Sequence, residues 1–219
     1  MIKNKVGGEM YETFYNTDNK IKNYEKNSLK RTQDTFQAFA DAIIPRTPGL
    51  AEEYGRIQFF GALDLHTGEY ITLSLNYYYI PLAESTADML DVAAQQLVIM
   101  DGNNSLVNFS KFMGGGAFAS LDPSDRLHAV TLLEKLNIYL ADLPIPFQDN
   151  PELILYITSD LNRLTMMGYY SEWSGYGSTR LADPNQRKLE YHPLSWKQIG
   201  YPGPSLGYRV LRKGDLYER

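Results

Sequence analysis

Apolar residues recur at helical spacing through most of residues 32–167, and this periodicity constrains the fold more than any other feature of the chain. Two of the periodic stretches begin with a capping residue followed by proline, at Asp122-Pro123 and Asn150-Pro151. Proline at the first helical position after such a residue is typical of a helix start. We therefore predict two long amphipathic helices, the first ending near Pro144 and the second near Met167.

Three more helices are predicted nearer the N-terminus. The first begins at Thr32 as N-cap and ends at Pro45, because proline cannot continue a helix. A further helix runs from Ser85 towards residue 100. Between these two, residues 51–65 are predicted to be helical with four side chains turned inward, namely Tyr54, Ile57, Phe60 and Leu65. Residues 71–75 alternate apolar and polar side chains, which also fits a short strand.

The helical periodicity stops after Gly168, and large aromatic residues take its place. They are Tyr169, Tyr170, Trp173, Tyr176, Tyr191, Trp196, Tyr201 and Tyr208. Long loops with several aromatic side chains usually cover a core or meet a partner. The predicted fold is all-α, an irregular helical bundle with a long aromatic, loop-rich C-terminal wrap. Its parts are a flexible basic arm (1–31), a helical domain (32–167) and a C-terminal segment (168–219) packed on the domain or on a partner.

Charge and cysteine content exclude several classes of function. Residues 1–31 carry seven Lys and Arg against four Asp and Glu, while the remaining residues carry 14 against 22. An acidic body of net charge −8 argues against nucleic acid as a partner, since phosphate binding needs a dense cationic face. The chain has no cysteine, which excludes disulfides, thiolate metal sites and a cysteine nucleophile.

No apolar window is long enough to span a membrane, and no signal peptide is seen, so the chain as written is expected to be cytoplasmic.

No group of residues in the sequence has the spacing of a catalytic or cofactor site. The three histidines, His66, His128 and His192, fall in separate segments. Ser205 lies in a G-x-S-x-G match, but prolines flank it and no histidine follows. The glycine run 114–116 lacks the lysine and serine of a phosphate loop, and is interpreted as a flexible or tight connection. We expect no catalytic residue, no metal and no cofactor in this chain.

Carboxylate pairs occur twice, and each has a structural explanation. Asp88 and Asp91 are expected on the polar face of a helix. Asp122 and Asp125 fall at a helix N-terminus, where the helix dipole favours negative charge. General acid–base chemistry would require burial to shift their pKa values, and nothing in the pattern indicates burial.

Several segments, taken in order, resemble the gluconate 2-dehydrogenase subunit 3 family. The resemblance covers roughly residues 33–208. Its motifs are FADAIIP at 39–45, TPGLA at 47–51, FASL at 118–121, RLHAVTLLEKL at 126–136, GYYSE at 168–172 and WKQIGYPGP at 196–204. Residues 1–31 depart from the family because they contain no twin-arginine export signal, and residues 70–84 form a spacer of unusual composition.

This resemblance implies a non-catalytic accessory subunit. Members are small subunits of FAD-dependent dehydrogenases of the glucose–methanol–choline class, which oxidise sugars, aldonates or alcohols. The resemblance implies that the FAD and the catalytic histidine belong to the large subunit, and that a cytochrome c subunit often accepts the electrons. It also implies a role in folding and export of the large subunit, so a periplasmic or membrane-associated location through an exported partner stays open.

The expected partner-interface residues are aromatic, because large rigid rings bury much area at small entropic cost. They are Tyr169, Tyr170, Trp173, Trp196 and Tyr201. They could also serve only to dock the C-terminal segment on its own domain. One alternative for the whole protein is a stand-alone helical binding or structural protein without a dehydrogenase. Another is an enzyme that uses a metal held by the histidines.

Overall fold

The computed structural model describes residues 25–101 and 111–203, and within them the predicted all-α fold is confirmed. The described residues contain helices and turns and no strand. The first helix, α1, covers residues 25–43. The other α-helices are α2 (Ala51–Tyr54), α3 (Thr67–Asn76), α4 (Ala83–Met100), α5 (Ala117–Ser120), α6 (Pro123–Glu134), α7 (Pro151–Tyr170) and α8 (Leu194–Gln198). The 3-10 helices are Pro48–Leu50, Arg56–Phe59, Leu140–Asp142, Trp173–Thr179 and Pro184–Gln186.

Four helices form a closed ring around the core. α3 packs on α4 and α7, and α6 packs on the same two helices from the other side. α1 adds Phe36 and Phe39 to this core, and Phe39 stacks on Phe118 of α5 with 6.3 Å between ring centroids. Burial of each apolar side chain of this size contributes about 1.5–3 kcal/mol, so this shared core is the main source of stability. Its largest fully buried residues include Phe36, Phe118, Phe147, Ile71, Leu75, Met89, Leu90, Leu121, Leu133 and Ile154.

Both helix starts predicted from an X-Pro pair are confirmed. Asn150 is the N-cap of α7, and its side-chain oxygen accepts a hydrogen bond from the backbone N–H of Leu153 at 3.2 Å. Asp122 is the N-cap residue of α6, but its side chain makes no capping hydrogen bond. α7 continues through Gly168 to Tyr170, three residues past the predicted end.

α6 ends ten residues before the predicted position near Pro144. Leu136 adopts a left-handed conformation with φ of 53°. Its N–H bonds to the carbonyl of Leu133, and the N–H of Asn137 bonds to the carbonyl of Leu132. This pair of bonds is the Schellman motif that closes many helices, usually at glycine. A leucine at this position gave no stop signal in the sequence, so the prediction of a longer helix is wrong.

The predicted helix over residues 51–65 is also wrong. α2 ends at Tyr54 because Gly55 follows it with φ of 88°, and a 3-10 helix and turns then lead to His66. Gly61 lies so close to the backbone of residues 44–46 that a Cβ there would collide with it. The break turns the side chains of Tyr54 and Phe60 outward, against the prediction, while Ile57 and Leu65 are buried as predicted.

Residues 71–75 form part of a helix and not a strand. They lie in α3, whose buried residues Ile71, Thr72 and Leu75 have helical spacing, and α3 packs on α7 and α4. The alternating pattern is short, and packing in the ring of helices decides the conformation.

The first helix is longer than predicted. α1 already includes residue 25, so Thr32 lies buried within the helix and is not its N-cap. Residues 25–31 of the predicted arm are therefore helical, and residues 1–24 lie outside the described part of the chain.

The glycine run 114–116 is a tight connection against α1 and α4. The N–H of Gly114 donates to the carboxylate of Asp34 at 2.9 Å, and the N–H of Phe118 donates to Asp91 at 2.9 Å. A Cβ on Gly116 would overlap the Asp91 carboxylate. Glycine is needed at this position because the carboxylate occupies the space of a side chain.

Replacing Gly116 with alanine is expected to destabilise the protein. The added methyl group must displace the buried Asp91 side chain and its hydrogen bond to Phe118. Overpacking of this kind costs about 1–3 kcal/mol, which urea unfolding followed by circular dichroism would measure. The matched control is Gly49→Ala, since nothing lies within 4 Å of a Cβ there. Equal stability of the two variants would contradict the close packing of Gly116.

Candidate functional site

Residues after α7 are held on α3 through Trp173. Its side chain is 1% exposed, and its Nε1 donates to the carbonyl of His66 at 2.9 Å. The ring meets the edge of Tyr70 with 5.3 Å between centroids. Farther along the chain, Arg180 forms two hydrogen bonds to the Glu69 carboxylate, at 2.6 and 3.1 Å. These contacts fix the first part of the C-terminal segment on the helical domain.

Tyr169 connects the end of α7 to the irregular segment that follows α2. The side chain is 3% exposed, and its hydroxyl donates to the carbonyl of Phe60 at 2.6 Å, with the carbonyl of Ile57 farther away at 3.4 Å. Burial, together with the nearby Tyr170 and Asp64, raises the pKa of Tyr169 to about 12. The phenol therefore stays protonated and acts as a structural hydrogen-bond donor.

α8 is held against the same place by two side chains. Trp196 is 8% exposed and donates from Nε1 to the carbonyl of Tyr170 at 3.2 Å. Gln198 accepts a hydrogen bond from the N–H of Ile57 at 3.2 Å and donates to the carbonyl of Tyr54 at 3.0 Å. α8 therefore bridges the end of α7 and the segment around α2.

Between these three elements lies a half-open cavity of about 530 Å³, which we call the aromatic cleft. Its lining residues are Tyr54, Ile57, Gln58, Tyr170, Ser195, Trp196, Gln198, Ile199 and Tyr201. Trp196 forms one wall, and Tyr201 meets it edge to face at 4.9 Å between centroids. The lining contains no charged side chain. Clefts of roughly 300–1,000 Å³ with apolar walls and a few polar groups are typical of ligand sites.

Exposed apolar side chains continue from the cleft onto the surface. Tyr54, Tyr170, Ile199 and Tyr201 line the cleft and are also exposed to solvent. Phe59 is exposed in the 3-10 helix that carries two of the lining residues. Concentrations of exposed aromatic residues are characteristic of the surfaces that proteins use for binding.

The five predicted interface residues divide into two groups. Tyr170, Trp196 and Tyr201 are brought together at the aromatic cleft. Tyr169 and Trp173 lie in the interior and hydrogen-bond to the chain's own carbonyls. Because these two are almost fully buried, the surface that remains for a partner belongs to Tyr170 and Tyr201. The partner interface itself stays a prediction.

Sequence reasoning missed most of the lining residues outside the C-terminal segment. Tyr54 is predicted on an inward helix face, and Gln58 carries no pattern. Within the C-terminal segment, Gln198 belongs to the WKQIGYPGP motif but is not among the predicted interface residues. The one available signal was Gly55, whose positive φ ends α2 and leaves Tyr54 facing the cleft. The contact between Gln198 and Tyr54 spans 144 residues, and local spacing does not predict such a contact.

One of the carboxylates expected on a polar helix face is buried. Asp88 is partly exposed and pairs with Arg31, but Asp91 is buried in front of α5. Burial raises the pKa of Asp91 above its ordinary value, and the hydrogen bond from the Phe118 N–H and the charge of Arg31 lower it in part. The expectation that Asp91 is exposed is therefore wrong, because the glycine run 114–116 lets α5 pack directly over it.

The remaining candidates for chemistry are dispersed. His128 is exposed on α6, His192 contacts Trp196, and His66 precedes α3. Within residues 25–101 and 111–203, no three His, Asp or Glu side chains are grouped to hold a metal ion. Ser205 lies outside the described residues.

Within residues 25–101 and 111–203, no helix combines the length and apolar character needed to cross a membrane.

Comparisons with known proteins give no relative. No model of a known protein family matches the chain, and neither a curated protein nor a solved structure matches it. The resemblance to the gluconate 2-dehydrogenase subunit 3 family therefore rests on the sequence motifs.

Tyr169→Phe is expected to destabilise the protein by about 1–2 kcal/mol. The substitution removes the donor of the partly buried hydrogen bond to the carbonyl of Phe60, and loss of such a bond carries a cost of this size. Tyr170→Phe, at the neighbouring exposed ring, is the matched control and should change stability by less than about 0.5 kcal/mol. Urea unfolding of both variants provides the comparison, and equal values would contradict a structural role for the Tyr169 hydroxyl.

Asp91 is expected to make stability depend on pH. The pKa of Asp91 is higher in the folded protein than in the unfolded chain. Its contribution to the free energy of unfolding is therefore fully present below the pKa of the unfolded chain, about 3.9, and is lost as pH rises through the pKa of the folded protein. Asp91→Asn keeps the oxygen that accepts from Phe118 and cannot ionise. The free energy of unfolding of the variant, relative to the wild type, should therefore increase as pH rises from acid to neutral.

The measurement is urea unfolding at a series of pH values. Glu134→Gln removes a carboxylate from an exposed helix end and serves as the control. A difference between Asp91→Asn and the wild type that does not change with pH would contradict the effect of burial on Asp91.

Proposed function

We propose that the protein is a non-catalytic accessory subunit that binds and stabilises the large subunit of a flavin-dependent sugar, aldonate or alcohol dehydrogenase. The observation that carries this proposal is the meeting of two separate sequence motifs at one surface. The GYYSE motif contributes Tyr170 to the aromatic cleft, and the WKQIGYPGP motif contributes Trp196 and Tyr201. Both motifs belong to the resemblance with the gluconate 2-dehydrogenase subunit 3 family.

The chemistry of the cleft supports a binding role. Tyr and Trp are enriched at the centres of protein interfaces, where each ring buries a large area with few rotatable bonds. Here α8, which carries one of the rings, is held in place because Trp196 and Gln198 form hydrogen bonds to backbone groups of other elements. A surface that is already ordered before binding loses less entropy on association.

In this proposal, the large partner carries the FAD and the catalytic histidine. A cytochrome c subunit completes some complexes of this kind. The present chain contributes surface and stability, and its location follows that of the large subunit.

A stand-alone helical binding protein is the second candidate. The volume of the aromatic cleft favours it, since about 530 Å³ is enough to enclose much of a small ligand without any large subunit.

Affinity purification of the tagged protein from its native cell separates the two candidates. The accessory-subunit proposal predicts a co-purifying large chain with the visible absorbance of a flavin. Tyr54→Ala, Tyr170→Ala and Tyr201→Ala combined in one variant should lower the recovery of that chain at least about tenfold, because such residues dominate interface energy.

The matched control removes three exposed tyrosines that do not line the cleft: Tyr77, Tyr79 and Tyr139. This variant should retain the partner. A colourless protein that elutes alone would overturn the accessory-subunit proposal and favour the stand-alone binding protein. Equal loss of partner in both triple variants would show that binding does not use the aromatic cleft.

A further inference from the structure

We propose that the aromatic cleft receives an uncharged, proline-rich segment of the partner in the polyproline II conformation. This inference rests on the proposed function, since it names the part of the partner that contacts the cleft. It follows from three properties of the lining: its ring surfaces, its unused hydrogen-bond donors and its lack of charge.

The ring surfaces suit proline side chains. Four of the nine lining residues are aromatic, contributed by α2, the end of α7, α8 and the residues after α8. Aromatic-lined grooves are the recurrent binding sites of proline-rich segments, which are ordered before binding and therefore lose little entropy. The cleft is open on one side, so an extended chain can enter along it.

The unused donors suit a chain that has carbonyl groups and few N–H groups. The hydroxyls of Tyr54, Tyr170 and Tyr201 have no hydrogen-bond partner among residues 25–101 and 111–203, and all three residues line the cleft. Gln58 accepts a hydrogen bond from Thr47 through its oxygen, which leaves its amide N–H₂ unused within the same residues. Proline has a carbonyl but no N–H, so a proline-rich segment offers acceptors to these donors without adding unsatisfied donors.

The charges around the cleft suit a segment without charge. The lining contains no charged residue. The exposed charged residues within two positions of a lining residue in the sequence are Glu52, Glu53, Arg56 and Lys197, and their charges cancel. An ionic group placed in the cleft would lose hydration without gaining a counter-charge.

Other modes of peptide binding fit less well. Addition of a strand requires an exposed sheet edge, and the described residues contain no sheet. An amphipathic helix has its backbone carbonyls already bonded within the helix, so it would leave the tyrosine hydroxyls and the Gln58 amide without acceptors.

The two tryptophans of the chain allow a direct test. Trp196 lines the cleft, while Trp173 is buried elsewhere, so a Trp173→Phe variant reports emission from the cleft alone. The full chain is titrated with an acetylated and amidated decaproline peptide. A saturable change in Trp196 emission is expected. Calorimetric titration of the unmodified chain with the same peptide gives a second measurement if the Trp173 variant does not fold.

Variants of exposed residues locate the binding. Tyr54→Ala and Tyr201→Ala should each raise Kd at least about tenfold, which corresponds to about 1.4 kcal/mol. Tyr54→Phe removes only the hydroxyl and should raise Kd by about two- to tenfold. Tyr79→Ala, at an exposed tyrosine that does not line the cleft, should leave Kd unchanged.

Three outcomes would overturn the inference: no saturable binding of decaproline, equal binding of a Gly/Ser decapeptide, or saturation of the cleft by a neutral oligosaccharide but not by decaproline. The test is separate from that of the proposed function. If the flavoprotein co-purifies and the cleft variants release it, but decaproline does not bind, only the proline-rich segment is wrong. If decaproline binds but no flavoprotein co-purifies, the accessory-subunit proposal is wrong, and the cleft receives a proline-rich segment of a different protein.

Discussion

The last turn of α7 is held from two sides by hydrogen bonds between side chains and backbone carbonyls. On one side, the Tyr169 hydroxyl reaches the carbonyl of Phe60, and on the other, Trp196 donates to the carbonyl of Tyr170. Free carbonyls at a helix end need partners when they are shielded from water, and here the indole of α8 supplies one. The position of α8, and with it the shape of the aromatic cleft, depends on this arrangement.

The ring of four helices gives that arrangement a rigid base. Its core includes residues of α1, α3, α4, α5, α6 and α7. α1 and α5 are joined to α6 through Arg126. This guanidinium is buried and donates to the carbonyls of Ala38 at 3.2 Å and Ala119 at 2.9 Å. Since a buried cation without partners would be costly, these bonds fix α1 and α5 relative to α6 and satisfy two nitrogens of the guanidinium, and the Asp41 carboxylate lies 3.9 Å from Nη1. The cleft is connected to this packed core through α7, a member of the ring whose last residue, Tyr170, lines the cleft.

The sequence predicted the helical class because apolar periodicity and X-Pro helix starts are local signals, and both Asp122-Pro123 and Asn150-Pro151 begin helices. It failed where a single backbone conformation decides the outcome, as at Leu136, where a left-handed leucine ends α6. Aromatic enrichment after Gly168 identified three residues of the cleft. The opposite wall escaped prediction, because the bonds of Gln198 to Tyr54 and Ile57 join segments more than 140 residues apart. Nothing in the local pattern of either segment indicates the other.

The long separation in sequence between Tyr54 and Gln198 also determines when the aromatic cleft can form during translation. Residues of one wall leave the ribosome 144 positions before the glutamine that holds the other wall in place. At about 5–20 residues per second, the interval is roughly 7–29 s. During that time the nascent chain contains Tyr54 but lacks the opposite wall of the aromatic cleft. A partner that recognises the complete cleft therefore selects chains whose helical domain and C-terminal segment have both been made and have come together.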